Sequence, residues 1–242
     1  MALKSSVFGS IQGRAVKTWI AEQVLHLGAE AEVTLGKFLG REAVAKIRRP
    51  RSWRHPELDA RLNRRRMTAE VRLLTKLSRS GLPVPMIQDF DVEKGILVMS
   101  KLEGLPVIEH LRNTEPNAGI NQMLVELGAL VRKLHRNGIT HGDLSTNNLL
   151  FCKDNGPSII DFGLARITEE VEDFGIDLHV LHEILGASHP DHPGAIDTMI
   201  EGYLSVDESE GPPPATGGGT LPTAIEIVKR LEDIRTRVRY HG

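Results

Sequence analysis

Asp143, Asn148 and Asp161 are the residues of this sequence best placed to do chemistry. In HGDLSTNNLL, Asp143 precedes Asn148 by five positions and an apolar run follows at once; in IIDFG, Asp161 closes a second apolar run. A carboxylate such as Asp143 can accept a proton from an attacking hydroxyl or water, or orient it. Asn148 offers a neutral oxygen to Mg2+, and Asp161 a charged one. The two acids are separated by 161 − 143 = 18 positions, which is what a strand, a turn and a second strand between a catalytic loop and a metal loop require. Either motif alone is an ordinary turn. Together they fit phosphoryl transfer, which asks a protein for little covalent chemistry and much positioning of charge.

That chemistry also needs a cation for the phosphates and an acid to fix the cation. Lys46 lies in AVAK, an apolar segment that would ordinarily exclude an ammonium group. Two readings stand for it. It is a structural lysine at a strand end, or it reaches the α- and β-phosphates while a carboxylate from a neighbouring helix holds it. Glu70, in TAEVRLL, is the best candidate for that carboxylate.

The elements that must position these residues follow from pattern. EQVLHLG, AEVTLGKF and REAVAKIR read as strands separated by glycine turns, and VPMIQDF and GILVMSKL as two more. RHPELDARLNRRRMTAEVRLLTKLSRSG reads as helix, with Pro56 suited to its first position and Gly81 to its stop. This predicts a strand-rich lobe with one main helix over residues 1–102. From Asn117 the text turns helical, in a segment closed by Gly138; short strands at LLF and SII flank KDNG. Further helices are expected at GIDLHVLHEIL, GAIDTMIEGYL and TAIEIVKRLEDIR, completing a helical lobe over 103–242. DESEGPPPATGGGT reads as a mobile surface loop. The expected class is α+β, bilobal.

A chain of 242 residues can bury a sizeable core. The one cysteine, Cys152, can form no internal disulfide, which fits a reducing compartment. The N-terminus lacks the apolar region of a signal peptide and no run approaches membrane-spanning length, so cytoplasm and nucleus are expected, with no membrane partner. The net charge of −2 hides a local asymmetry: Arg41 to Arg66 holds ten Lys/Arg against three Asp/Glu, a surplus of 10 − 3 = 7. A second basic stretch, RTRVRYHG, closes the sequence. Each is a solvated helix face or a surface for an acidic partner, RNA backbone included.

The order LGAEAEV, AVAK, TAE, HGDLSTNN, DFG resembles the protein-kinase-like superfamily across nearly the whole chain. Within it, LGAEAEV, RHPELDARLNRRRMTAE, ITHGDLSTNNLL, IIDFGLA and DLHVLHEIL resemble the PRPK family, the small atypical kinase/ATPase subunits of the KEOPS (EKC) complex. The resemblance implies a protein-kinase-like fold with a reduced second lobe. It implies ATP and Mg2+, with Lys46 on the phosphates, Glu70 paired to it, Asp143 as catalytic acid/base, and Asn148 and Asp161 as metal ligands. It puts Gly28, Ala29 and Glu30 over the phosphates, Val33 and Val44 above the adenine, Leu150 below it, and Met99, Ser100 and Leu102 in the hinge. Asp177 would brace the catalytic loop. The implied activity is an atypical serine/threonine-type kinase and ATPase that regulates the complex making tRNA threonylcarbamoyladenosine. The implied partners are the threonylcarbamoyl transferase subunit at the C-lobe, a PRPK-binding-protein-like subunit at the N-lobe, and tRNA along the basic surface and tail.

The sequence also departs from protein kinases in ways that bear on activity. LGAEAEV is shorter and poorer in glycine than a kinase phosphate loop, so fewer backbone N–H groups can approach phosphate. Ser145 stands where serine/threonine kinases carry a lysine, and Gly142 where they carry an arginine. About ten residues separate Gly163 from a helix expected near Asp173, and no Ala-Pro-Glu follows. ATP hydrolysis, autophosphorylation or a narrow acceptor set is easier to build here than phosphorylation of many proteins. Two other classes remain open at this point: a non-catalytic nucleotide-binding scaffold, and a small-molecule phosphotransferase, which also uses His-Gly-Asp.

Overall fold

Strand-forming residues build the first sheet of the molecule. Residues 18–28, 30–51, 53–215 and 219–239 are described by a computed structural model. They divide into two units, Met1–Thr75 with Pro85–Leu102, and Lys76–Val84 with Glu103–Gly242. The fold is mixed α+β.

In the first unit, β1 (Trp19–Leu27), β2 (Ala31–Phe38) and β3 (Arg41–Arg48) form an antiparallel meander. Helix α1 (Pro56–Arg79) follows, then β4 (Ile87–Asp91) and β5 (Ile96–Ser100), giving a five-stranded sheet in the order β1-β2-β3-β5-β4. Ala43, Ala45, Ile96 and Val98 are buried on one face, with Trp19, Phe38 and Ile47 packed against them. Cross-strand partners share a face, so Val33, Lys46 and Leu97 stand in one row of the other face and Leu35, Val44 and Met99 in the next. β1 is an edge strand whose Ile20, Val24, Leu25 and Leu27 are exposed.

Helix α1 begins at Pro56 with Glu57 and Asp59 in its first turn and ends with Lys76 and Arg79, each sign favouring its end of the helix dipole. It stops in a left-handed glycine turn. Gly81 N–H donates to Ser78 O and Leu82 N–H to Leu77 O, both at 3.1 Å, which satisfies two terminal carbonyls.

The second unit holds β6 (Leu105–Pro106), α2 (Val107–Arg112), α3 (Ala118–His135), β7 (Ile139–Thr140), β8 (Leu149–Cys152), β9 (Gly156–Ile159), β10 (Arg166–Ile167), α4 (Val171–Ser188), α5 (Ala195–Glu210) and α6 (Ala224–Arg239). Asn117 caps α3 by accepting from the N–H groups of Gly119 and Ile120. Helices α3 and α5 cross at glycines: a Cβ at Gly128 would lie 1.8 Å from Met199 O, and one at Gly202 would lie 1.9 Å from Val125 O. Beside that crossing, buried Arg132 makes a bidentate pair with Asp207 at 2.8 and 2.7 Å. Asp207 also accepts from Arg136 and from the N–H of Ala224, at the start of α6. Burial alone would raise the Asp207 pKa; its bonds from Arg132, Ala224 and Arg136 outweigh that and lower it.

Some expectations are corrected here. The segment read as a loop from Asp207 begins as the last turn of α5, because Arg132 and Arg136 hold Asp207 in place. Residues 216–218 of that segment lie outside the described residues, as do 1–17 and the last residues of the basic tail. The first strand starts at Trp19, and α4 at Val171. The short elements β6, α2, β7 and β10 carry too few residues to show a period. Among the described residues no helix is long and apolar enough to cross a membrane.

Candidate active site

The sheet face that carries Val33, Val44 and Met99 also carries Lys46. Its ammonium donates to Glu70 Oε1 at 2.8 Å, while Arg48 donates to Glu70 Oε2 at 2.6 Å. All three are buried, at 8% exposure for Lys46, 9% for Arg48 and 2% for Glu70. One carboxylate on α1 therefore fixes two cations that β3 points to the same side, since residues 46 and 48 are two apart on a strand. Arg48 has no role in the sequence reading; its signal was the i, i+2 spacing from Lys46.

The turn from β1 to β2 closes on a bond from Gly28 N–H to Ala31 O at 2.9 Å. Ala29 lies outside the described residues. Glu30 is ion-paired with Arg51 and, at 3.3 Å, with Arg66, so its charge is directed to the basic stretch. Ser100 is tied to Met86 by two bonds, its N–H to Met86 O at 2.8 Å and Met86 N–H to its hydroxyl at 2.9 Å. Leu102 ends the unit, half-buried.

In the second unit, Asp143 and Asn148 are bonded to each other: Asn148 Nδ2 donates to Asp143 O at 2.9 Å and to Asp143 Oδ2 at 3.2 Å. With its amide nitrogen so used, what Asn148 has to offer is an oxygen. Ile160 links this loop to the one that carries Asp161. Its N–H donates to Asn148 O at 2.9 Å, and its carbonyl lies 2.9 Å from His141 Nε2. Asp161 follows at φ +61, a left-handed conformation that a non-glycine residue adopts only when its surroundings impose it, and its Oδ1 accepts from Gly163 N–H. Leu150 is buried in β8, opposite Ser158 of β9 and Pro106 of β6.

The loop rests on a buried frame. Asp177, 3% exposed, accepts from the N–H groups of His141 at 2.6 Å and Gly142 at 2.8 Å, and lies 3.2 Å from His135 Nε2. Burial would raise its pKa, but the bonds from His135 and the backbone outweigh this and lower it. An ionised Asp177 requires the proton of His135 on Nε2, so His135 Nδ1 accepts from Tyr203 O–H at 2.8 Å. His141 is fixed the same way: Nδ1 accepts from Asp143 N–H at 3.3 Å, and Nε2–H donates to Ile160 O. Phe162 packs on its ring, with centroids 5.1 Å apart. His135 and His141 had no role in the sequence reading, because their signal is tautomeric and appears only once partners are known.

Gly142 has two reasons to be glycine. Its φ is +77, and a Cβ there would lie 2.5 Å from Leu164 O. After Asp161-Phe162-Gly163 the chain turns back at once to this point: Arg166 and Ile167 pair with Thr140 and Ile139, and α4 begins at Val171. Gly142→Ala is therefore expected to lower stability by about 2 kcal/mol or more, from the left-handed conformation plus the clash. Urea unfolding would show it as a reduced midpoint; an unchanged midpoint would contradict this account of the glycine.

A RIO domain is matched over residues 41–172, and the phosphotransferase enzyme family over residues 135–213. The chain is 32% identical over 225 residues to the EKC/KEOPS complex subunit Tp53rkb of Mus musculus, covering 90% of this chain and 86% of that one. It is 33% identical over 219 residues to the EKC/KEOPS complex subunit BUD32 of Yarrowia lipolytica, covering 82% and 83%. A probable bifunctional tRNA threonylcarbamoyladenosine biosynthesis protein of Methanosarcina mazei is 36% identical over 219 residues. That alignment takes in 90% of this chain but only 36% of the relative, so the chain spans about a third of its length. Among solved structures, the Rio2 kinase-ADP/Mg2+-phosphoaspartate complex from Chaetomium thermophilum superposes with a TM-score of 0.56 at 18% identity, over 92% of this chain and 73% of that one. At that identity the likeness is one of fold.

Proposed function

This chain belongs to the RIO-domain family, in the group of the Tp53rkb and BUD32 proteins, and on that premise we propose that it is an atypical ATP-dependent serine/threonine-type kinase and Mg2+-dependent ATPase. It would act as the regulatory subunit of a KEOPS-type complex that makes tRNA threonylcarbamoyladenosine. The observation that carries the reading is the fixed seating of Asp143, Asn148 and Asp161 around Ile160, because a phosphotransferase needs its base and its metal ligands held together before substrate arrives.

The donor chemistry fits magnesium: Asn148 and Asp161 present amide and carboxylate oxygens, the hard ligands that Mg2+ takes along with water. The ion they would hold neutralises charge on phosphate oxygens. Lys46, kept in place by Glu70, would engage the α- and β-phosphates. Gly28, Ala29 and Glu30 would cover them, and Val33, Val44, Met99, Ser100, Leu102 and Leu150 would be the base and hinge contacts. Asp143 takes the proton from the attacking oxygen or orients it. Ser145 supplies no cation to the transferring phosphate, so turnover is slow.

The short stretch between Gly163 and α4 leaves little platform for a peptide. The favoured acceptors are water, a residue of the chain itself, or a narrow set of partners. The basic stretch from Arg41 to Arg66 suits an RNA backbone; within it Trp53 is 72% exposed, with the guanidinium of Arg54 4.5 Å and that of Arg51 5.5 Å from its ring centroid. We place the transferase subunit at the helical unit, the PRPK-binding-protein-like subunit at the strand-rich unit, and the protein in cytoplasm and nucleus. A small-molecule phosphotransferase is the second reading, supported by the phosphotransferase-family match over 135–213; stoichiometric phosphate transfer to a small alcohol would establish it.

Capture of the native protein, with identification of the subunits and RNA recovered, tests the assignment. Recovery of a threonylcarbamoyl transferase subunit together with tRNA is expected. Capture of the intact protein with neither would overturn the proposed complex.

A further inference from the structure

Helix α4 carries three potential ligands that phosphoryl transfer does not use. His179, His182 and Glu183 stand at i, i+3 and i+4, so they are neighbours on the helix surface. One donor atom from each lies within 4.8 Å of the other two. Glu183 Oε1 is 3.1 Å from His182 Nδ1 and 4.0 Å from His179 Nδ1, and the two imidazole planes are within 15° of parallel. His179 Nδ1 is shut off from solvent and has no hydrogen-bond partner. A buried imidazole nitrogen left unsatisfied costs free energy and calls for a reason.

We propose that His179, His182 and Glu183 form a three-ligand site for Zn2+, with a fourth position open to water or to a donor from another molecule. Two imidazoles and a carboxylate are a borderline-soft set that suits zinc and is distinct from the all-oxygen set of Asn148 and Asp161. Tetrahedral bonds of about 2.0–2.2 Å put ligand atoms about 3.3 Å apart. The His182–Glu183 pair already stands near that separation, and His179, within 4.8 Å of both, needs to close by up to about 1.5 Å, which side-chain rotation supplies. In the metal-free chain His182 Nδ1–H donates to Glu183 Oε1. When Nδ1 takes the ion, the ring proton moves to Nε2 and the imidazole stays neutral.

The site lies one turn along from Asp177 on the same helix, so an ion bound there clips the helix that holds the catalytic loop. Binding to the folded chain alone raises its stability by mass action. This inference does not depend on the proposed function, since it concerns no residue of the phosphotransfer machinery.

The test is equilibrium dialysis of the chelator-stripped full chain against ZnCl2, with excess Mg2+ present, for the natural sequence, the His179→Gln/His182→Gln double variant and Glu183→Gln. The natural sequence should bind one zinc that the double variant lacks. Glu183→Gln should bind it about ten-fold or more weakly. Zinc should raise the thermal midpoint of the natural sequence and not that of the double variant. Absence of zinc binding by the natural sequence, or equal affinity in the double variant, overturns the site. Should the double variant fail circular dichroism, Glu183→Gln carries the decision, and unchanged zinc affinity there overturns it.

Discussion

Asp161→Asn is expected to reduce Mg2+-dependent ATP hydrolysis by about 10²–10³-fold while leaving the fold in place. The substitution removes the one charged ligand assigned to the ion and keeps almost everything else. Asparagine tolerates the left-handed backbone at φ +61, and its side-chain oxygen can still accept from Gly163 N–H. The side chain is exposed, so no buried charge is left behind. Raising Mg2+ should recover part of the loss, because Asn148 and water remain as ligands. Alanine is the poorer probe, since it adds a backbone penalty of about 1–2 kcal/mol that would blur a catalytic effect with an unfolding one. A folded Asp161→Asn protein with undiminished hydrolysis would remove Asp161 from the metal site. Natural sequence that hydrolyses nothing, with or without its partner subunits, would favour the scaffold reading over the enzyme.

The glycine before the catalytic acid gains a physical reason from the structure. In regulated protein kinases an arginine at this place holds a phosphorylated activation loop. Here Leu164 O fills the space that even a Cβ at residue 142 would need, and the residues after Gly163 pair at once with β7. The missing side chain and the missing loop are thus one contact. The contact leaves no room beside Asp143 for an arginine that would hold a phosphorylated segment.

What was legible in the sequence was what depends on local pattern. The five strands, α1 with its proline start and glycine stop, and α3 were readable from periodicity and end signals, because each is long enough to show both. The loops that carry Asp143, Asn148 and Asp161 were readable because they lie at fixed distances from apolar strands. The bracing of the loop was a different matter. Asp177 could be pointed out by resemblance, but His135, Tyr203 and His141 join it from α3, α5 and the loop itself, and only the packing of three elements brings them together. Arg48 carried a local signal, its i, i+2 spacing from Lys46, but that the two share one carboxylate, 70 − 48 = 22 positions from Arg48, shows only in the packing of α1 on β3. The loop predicted from Asp207 failed through composition, since an acidic stretch reads as solvated unless one knows that Arg132 and Arg136 face it.

Asp177→Ala is expected to destabilise the protein by about 2–4 kcal/mol, from buried donors left without a partner at about 1–3 kcal/mol each. It orphans the N–H groups of His141 and Gly142 and the Nε2–H of His135, and of these residues His141 and His135 are buried. The pH dependence should separate this account from a simple packing defect. Burial, chiefly, holds the His135 pKa below its ordinary value, with Asp177 opposing. The unfolded chain therefore takes up a proton near pH 6.5 that the folded chain refuses, and stability falls below that pH by up to about 1.4 kcal/mol per unit for this group. Asp177 itself titrates below its ordinary value, so the stability it contributes is complete above about pH 4 and lost as pH falls through its lower folded value. The gap between natural sequence and Asp177→Ala should hence be present in full above the ordinary carboxylate range and narrow in acid below it. A gap that stays constant across urea titrations at pH 7, 5.5 and 3 would mean that the carboxylate is not ionised in the folded chain. In the same variant kcat should fall more than KM rises, because Asp177 holds the backbone just before Asp143 and touches no assigned nucleotide ligand. If the two changed alike, the frame would be supporting binding rather than the position of the catalytic acid.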